Sequence, residues 1–192
     1  VLARGVGPGG RVHAFEPLPT NRRRLERTLA LNELGNVTIH PAAVADREGT
    51  AELATYGPGY ESWASLARGD VDLPTERLQP VERIEAPTVS LDAFCAAEGI
   101  DRVAALKVDV EGAEGRVLTG AEGLLAAQKI DLLVLELSDN TLTADGWSSG
   151  RVLRLLRDHG YDTWVIEDGE LRPFRTAGPV AFANLVATPA AA

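Results

Sequence analysis

The chain has 192 residues, a hydrophobic fraction of 45%, a charged fraction of 24% and a formal net charge of −9, as expected of one globular domain with room for a substantial core. So acidic a balance argues against non-specific attraction to nucleic acid or anionic lipid, and a single cysteine, Cys95, excludes an internal disulfide or a multi-cysteine zinc site and fits a reducing cytosol. No apolar run reaches membrane-spanning length and no basic-then-apolar leader is present, so the expected location is cytoplasmic, away from membranes. Lys107 and Lys129 are the only lysines among 19 basic residues, a skew that reads as codon usage rather than a binding device.

The chain opens on Val1 and contains no methionine, so the expectation is a processed start or a piece of a longer polypeptide. Val1 to Val6 read as the tail of a helix that stops at Gly7-Pro8-Gly9-Gly10. Gly5 to Gly10 spell G-x-G-x-x-G, but these glycines precede a strand, and Glu16 follows Gly10 by only six residues. A dinucleotide fingerprint follows its strand and places the ribose acid about 20 residues on. A nicotinamide-dependent oxidoreductase would rest on this decoy alone.

Arg11 to Glu16 read as a strand ending in an acid, and Pro17 and Pro19 open a helix to about Leu34 with Leu25, Leu29 and Leu31 as its buried stripe. Arg22, Arg23, Arg24 and Arg27 on that helix read as a solvated face, with a phosphate patch as the rival. Val37 to Val44 are the next strand. From about residue 49 to 90, β-like pieces (Thr50 to Tyr56, Ser62 to Leu66, Val81 to Val89) separated by Gly57-Pro58-Gly59, Asp70 to Pro74 and Pro80 read as a hairpin and loop insertion within one domain spanning residues 1–192. Ser90 caps a helix from Leu91 to Ala97 that Gly99 ends, with Cys95 as a buried, inert thiol.

Val103 to Val108 form a short strand running into Asp109, Glu111 and Glu114, with Gly112 at the turn and a helical pattern from Ala113 to Ala127. In open α/β sheets ligands sit at the carboxyl ends of strands, which puts Asp109 where chemistry is expected. Alternatively, Glu111 and Glu114 only favour a helix start through its dipole. Ile130 to Leu137 are an apolar run of the kind found in interior parallel strands, followed by a polar loop through Asp139, Asn140 and Trp147. Val152, Leu153, Leu155 and Leu156 stripe a helix closed by His159-Gly160, and Tyr161 to Ile166 and Pro179 to Thr188 read as an antiparallel closing pair. This alternation predicts an α/β fold with a doubly wound, mostly parallel sheet. Glu16, the acid after a short strand, is well placed for a ribose diol.

The order and spacing of Gly10 to Pro17, Leu31-Asn32, Asn36-Val37, Ala42 to Asp46, Gly49, Val89 to Asp92, Leu106 to Glu114, Val117 to Ala121, Leu135-Glu136, Gly160-Tyr161 and Asn184 to Ala187 resemble the FkbM family of S-adenosylmethionine-dependent methyltransferases. The resemblance implies a class I, Rossmann-like methyltransferase sheet with its last strand antiparallel. It implies S-adenosylmethionine as cofactor, with Glu16 at the ribose, Pro17 among the cofactor-binding residues, Ala42 and Ala43 along the adenine, and Asp109 near the methionine end and the acceptor. The family's first strand and glycine loop have no counterpart within these residues. The reading is therefore of an N-terminally truncated copy whose natural protein extends upstream, and the strands at Arg11 and Val103 are expected to flank the gap. The rival is a truncated, non-catalytic domain that binds a nucleoside or a partner.

The expected reaction is methyl transfer to a hydroxyl of a small molecule or sugar, with Asp109 and Glu111 as candidate bases. His13 and His40 are weaker candidates. No metal ligand is assigned, although Asp109, Glu111 and Glu114 form a set of hard oxygens that would suit Mg²⁺. Trp63 and Trp147 are expected near the acceptor and Trp164 in the core, with mere packing of all three as the alternative. The acceptor's identity and the oligomeric state are not written in these residues.

Overall fold

The computed structural model describes residues 2–7, 9–67, 71–72, 77–176 and 178–191. A short helix α1 (Leu2–Gly5) leads into strand β1 (Val12–Phe15), helix α2 (Pro19–Leu31) and strand β2 (Val37–His40). Then come β3 (Ala43–Val44), β4 (Gly49–Thr55), β5 (Val71–Asp72), β6 (Arg77–Leu78) and β7 (Glu82–Val89). Helix α3 (Leu91–Glu98), β8 (Leu106–Val108), α4 (Glu114–Thr119), α5 (Glu122–Ala126) and β9 (Leu133–Leu137) follow. The chain finishes with α6 (Asp139–Leu142), α7 (Ser149–Asp158), β10 (Tyr161–Glu167), β11 (Glu170–Pro173) and β12 (Ala183–Pro189).

The largest sheet has five strands in the order β11-β10-β12-β9-β8. β8 runs parallel to β9, whereas β12 is antiparallel to both β9 and β10, and β11 is antiparallel to β10. β9 carries the apolar run with Leu133, Leu135 and Leu137 fully buried, and β12 buries Leu185 and Ala187 against the same core. α7 packs Val152, Leu153 and Leu156 into that core.

Elsewhere the sheet differs from the single, mostly parallel one expected. β1 pairs in parallel with β2 alone, β3 and β4 flank β7, and β5 pairs with β6. Three of the four pairings in the largest sheet are antiparallel. The layout is thus α/β with mixed sheets. The physical reason lies between β1 and β8, where neither strand has a second neighbour among the described residues and a cleft of about 1190 Å³ separates them.

Four elements depart from expectation. Val37 to Val44 divide at Pro41, because Ala43 and Val44 pair with Thr88 and Val89 rather than continuing beside β1. The helix expected from Ala113 to Ala127 breaks at Gly120, where a Cβ would sit 2.0 Å from the Ala45 carbonyl oxygen. Asp92 then restarts it, its carboxylate accepting from the Gly123 and Leu124 amides at 2.7 and 2.9 Å. On α2 no residue is buried, and Leu31 is 74% exposed, so the predicted stripe is only half covered. Ser62 to Leu66 are a 3₁₀ turn and a bridge instead of a strand. The expected breaks at Pro8 and at Asp70 to Pro74 fall wholly or partly outside the described residues. Ser90 and Gly99 cap α3 as read, with the Ser90 hydroxyl accepting from the Ala93 amide and Gly99 left-handed. Cys95 is buried there, its thiol pKa raised by burial and then by the Asp92 charge.

Candidate active site

Glu16 follows β1 directly, and its amide donates to the His40 carbonyl at 3.0 Å, which extends the β1–β2 pairing to the acid itself. One carboxylate oxygen accepts from the Leu18 amide at 2.8 Å and the other from Asn21 Nδ2 at 3.3 Å. Arg22 donates to the Glu16 and Pro17 carbonyls at 3.0 and 2.6 Å, which fixes the turn into α2. An ionised carboxylate has about four lone-pair sites, so Glu16 keeps acceptor capacity on the cleft that it lines. Arg24 pairs with Glu61, and Arg23 and Arg27 are exposed.

Across the cleft, β8 ends at Val108 and the chain turns through Asp109, Val110, Glu111 and Gly112. Glu111 has a φ of 53° and Gly112 one of 100°, conformations that only glycine adopts freely. A Cβ at Gly112 would lie 2.7 Å from the Thr141 carbonyl oxygen, so the turn is pressed against α6, the short helix after β9. Glu114 is 2% exposed, and its Oε1 accepts from the Gly112 amide at 3.1 Å and the Val110 amide at 3.4 Å. Its Oε2 has no partner, and burial pushes its pKa up. Glu114 therefore braces the turn from beneath.

Asp109 lines the cleft and is paired with Lys107. Glu111 also lines it, and its pKa is pushed up to about 7, first by burial and then by the charges of Glu136, Asp109 and Glu114, with Lys107 opposing. Glu136 on β9 is shifted upward as well, by burial and then by Asp109. The sequence singled out neither Lys107 nor Glu136 for a role. An acid inside the apolar run of β9 was the available signal for Glu136.

Among the remaining candidates, Pro17 and Ala43 line the cleft, whereas Ala42 is buried beside it and does not. Among the described residues no group of three or more His, Cys, Asp or Glu side chains is placed to hold a metal ion. His13 and His40 hydrogen-bond to each other, Nδ1 to Nε2 at 3.0 Å, inside a cluster with Phe15 and Phe94. Burial, then His13, lowers the His40 pKa, so this pair reads as packing. Trp147 is a correction: it is 8% exposed in the main core against Gly115, with Arg151 over its ring, and does not line the cleft. Trp63 packs against Ala54 and Tyr56, and Trp164 is only half-buried on β10.

These features define an α/β domain with a carboxylate at the end of β1 and an acidic turn after β8, both opening on one cleft. The model of the methyltransferase FkbM domain matches residues 1–163, and the chain belongs to that family. It is 30% identical over 195 residues to the AMB antimetabolite synthetase AmbE of Pseudomonas aeruginosa, covering 85% of this chain and 9% of that protein. It is 30% identical over 181 residues to the 31-O-demethyl-FK506 methyltransferase FkbM of Streptomyces tacrolimicus, covering 84% of this chain and 67% of that one. The methyltransferase sdnD of Sordaria araneosa is 30% identical over 185 residues, covering 81% of this chain and 66% of that protein. The chain thus spans a small part of the first relative and about two thirds of the other two. A crystal structure of the methyltransferase FkbM from Methylobacillus flagellatus KT superposes with a TM-score of 0.49 at 17% identity, over 93% of this chain and 36% of that one. No helix among the described residues is long and apolar enough to cross a membrane.

Proposed function

We propose that residues 1–192 act as one S-adenosylmethionine-dependent methyltransferase domain, with an insertion at about 49–90, that methylates a hydroxyl of a small molecule or sugar. The observation that carries this reading is the pairing of Glu16 and the Asp109–Glu111 turn across one cleft. The order β8, β9, β12, β10, with β12 antiparallel between two parallel strands, supports a class I sheet.

S-adenosylmethionine, when bound, brings a methyl group already made electrophilic by its sulfonium. The residues present fit its ribose end, since the Glu16 carboxylate is oriented by Leu18 and Asn21 and retains lone pairs for two hydroxyls. Pro17 and Ala43 line the same cleft, and Ala43 would lie along the adenine. Asp109, held by Lys107, orients the acceptor hydroxyl. Glu111, poised near neutrality on the cleft, would accept the proton of that hydroxyl. Alignment supplies the rest of the barrier reduction.

Calorimetric titration with S-adenosylhomocysteine tests the cofactor half. Glu16→Gln keeps the shape but loses charge-assisted hydrogen bonds of about 1.5–3 kcal/mol each. Affinity should fall by about one to two powers of ten. Equal affinity in the two proteins would remove Glu16 from the site.

A further inference from the structure

The insertion crosses the cleft and is fastened on both sides. On the Glu16 side, Asn21 Nδ2, which also bonds the Glu16 carboxylate, donates to the Glu61 carbonyl at 3.2 Å. On the other side, Ser65 is 4% exposed, and its hydroxyl lies 2.6 Å from the Glu111 carbonyl oxygen and 3.2 Å from that of Val110. One hydroxyl has one proton to donate, and the shorter contact takes it. The same oxygen accepts from the Ala67 amide at 2.9 Å, and the Ser65 backbone bridges Ala54 in both directions at 2.9 and 3.1 Å. Ser65 is therefore anchored to β4 by its backbone and to the acidic turn by its side chain.

That turn needs holding. Glu111 has a left-handed φ of 53°, which costs a non-glycine residue about 1–2 kcal/mol and persists where surrounding contacts fix it. Gly112 and Val110 are held through their amides by Glu114, whereas the carbonyl of Glu111 points to Ser65. Leu66, next to Ser65, shares a small buried cluster with Leu53 and Ala113, so apolar packing closes over the same joint.

We infer that Ser65 is a positioning residue, whose hydroxyl fixes the backbone of Glu111 and so sets where that carboxylate stands in the cleft. The inference rests on the reading of Glu111 as the base. Insertion and catalytic turn then form one unit, and changes in the insertion reach the reacting groups through this bond.

Two readouts on the whole chain test it: amide hydrogen exchange at Val110 to Gly112, and the titration of the Glu111 carboxyl followed by carbon NMR, assigned with Glu111→Gln. In Ser65→Ala, exchange at the turn should rise about tenfold or more. The Glu111 midpoint should drop towards the ordinary carboxyl range by about one unit as the side chain gains solvent. The Glu136 midpoint and the affinity for S-adenosylhomocysteine should hold. Ser65→Thr, which keeps the hydroxyl, should restore both turn readouts. Unchanged exchange in Ser65→Ala, or equal losses in the alanine and threonine variants, would overturn the inference. Faster exchange in Ser65→Ala, with a wild-type Glu111 that titrates like an ordinary carboxyl, would uphold the hold on the turn and remove Glu111 as the base.

Discussion

Trp147 lies against the backbone of Gly115, so close that a Cβ added to Gly115 would fall 2.0 Å from the indole ring. The loop after α6 is thereby keyed to the first turn of α4, on the side of the acidic turn away from the cleft. Arg151 covers the outer face of the ring, 3.8 Å from its centroid.

Gly115→Ala should consequently destabilise the fold by about 1–3 kcal/mol, the usual range for overpacking a filled core. In a Trp147→Ala background the same change should cost far less, since the ring that it meets is gone. A double-mutant cycle on thermal or urea unfolding measures the difference. Additive effects would mean that the cost of the added methyl group does not arise from the indole.

Glu111 should make the protein less stable as pH rises. Its folded pKa of about 7 exceeds the ordinary 4.5, so between those values the native state binds more protons than the unfolded chain. Stability then falls with increasing pH. Each unit corresponds to about 1.4 kcal/mol, and partial solvent exposure trims the effect to about 1–2 kcal/mol. Glu111→Gln should match the wild type near pH 4 and exceed it near pH 8. Melting both proteins at the two pH values checks this, and a constant offset would count against the raised pKa.

Asp139 runs the opposite way. Its oxygens accept from the Ser149 amide at 2.8 Å, the Ser149 hydroxyl at 2.6 Å and the Val180 amide at 2.6 Å, which ties the end of β9 to α7 and to the lead into β12. Burial opposes its charge, but these bonds prevail and lower its pKa. Stability from this group is present above the unfolded pKa and is lost as pH falls through the folded one. Asp139→Asn should therefore cost about 1.5–3 kcal/mol at pH 7, the worth of charge-assisted bonds, and much less near pH 3. Urea midpoints at the two pH values would reveal a failure as equal losses.

Much of this layout was legible because local chemistry and tertiary role agree. Ser90 and Gly99 bracket α3 by capping alone, and the apolar run of β9 announces an interior strand. The acids after β1 and β8 could be placed because their strands are short and bounded by proline or glycine. Elements set by distant partners were not legible. Ala43 leaves β2 for Thr88, Gly120 breaks a helix for the sake of the Ala45 carbonyl, and Leu31 stays exposed where the apolar stripe of its helix would bury it. Ser65 gave no signal at all, since its hydroxyl meets a residue 46 positions further along the chain, Glu111. Trp147 misled because a polar loop suggested a cleft, whereas the space left by Gly115 takes the ring inward.

The strands beside the cleft should be less protected than the interior strands of the largest sheet. β9 and β12 are each paired on both sides, whereas β1 and β8 have one neighbour apiece among the described residues. An amide paired on neither neighbour exchanges through small local openings, but one in a doubly flanked strand waits for far larger ones. Cleft-side amides of Val12 to Phe15 and Leu106 to Val108 should exchange about a hundredfold faster than those of Leu133 to Leu137. Free apolar strand edges also template pairing with other chains, so aggregation on warming should steepen with protein concentration. Hydrogen exchange by mass spectrometry and light scattering over a concentration series make the test. Equal protection across all four strands, with concentration-independent melting, would show that both edges are covered in solution.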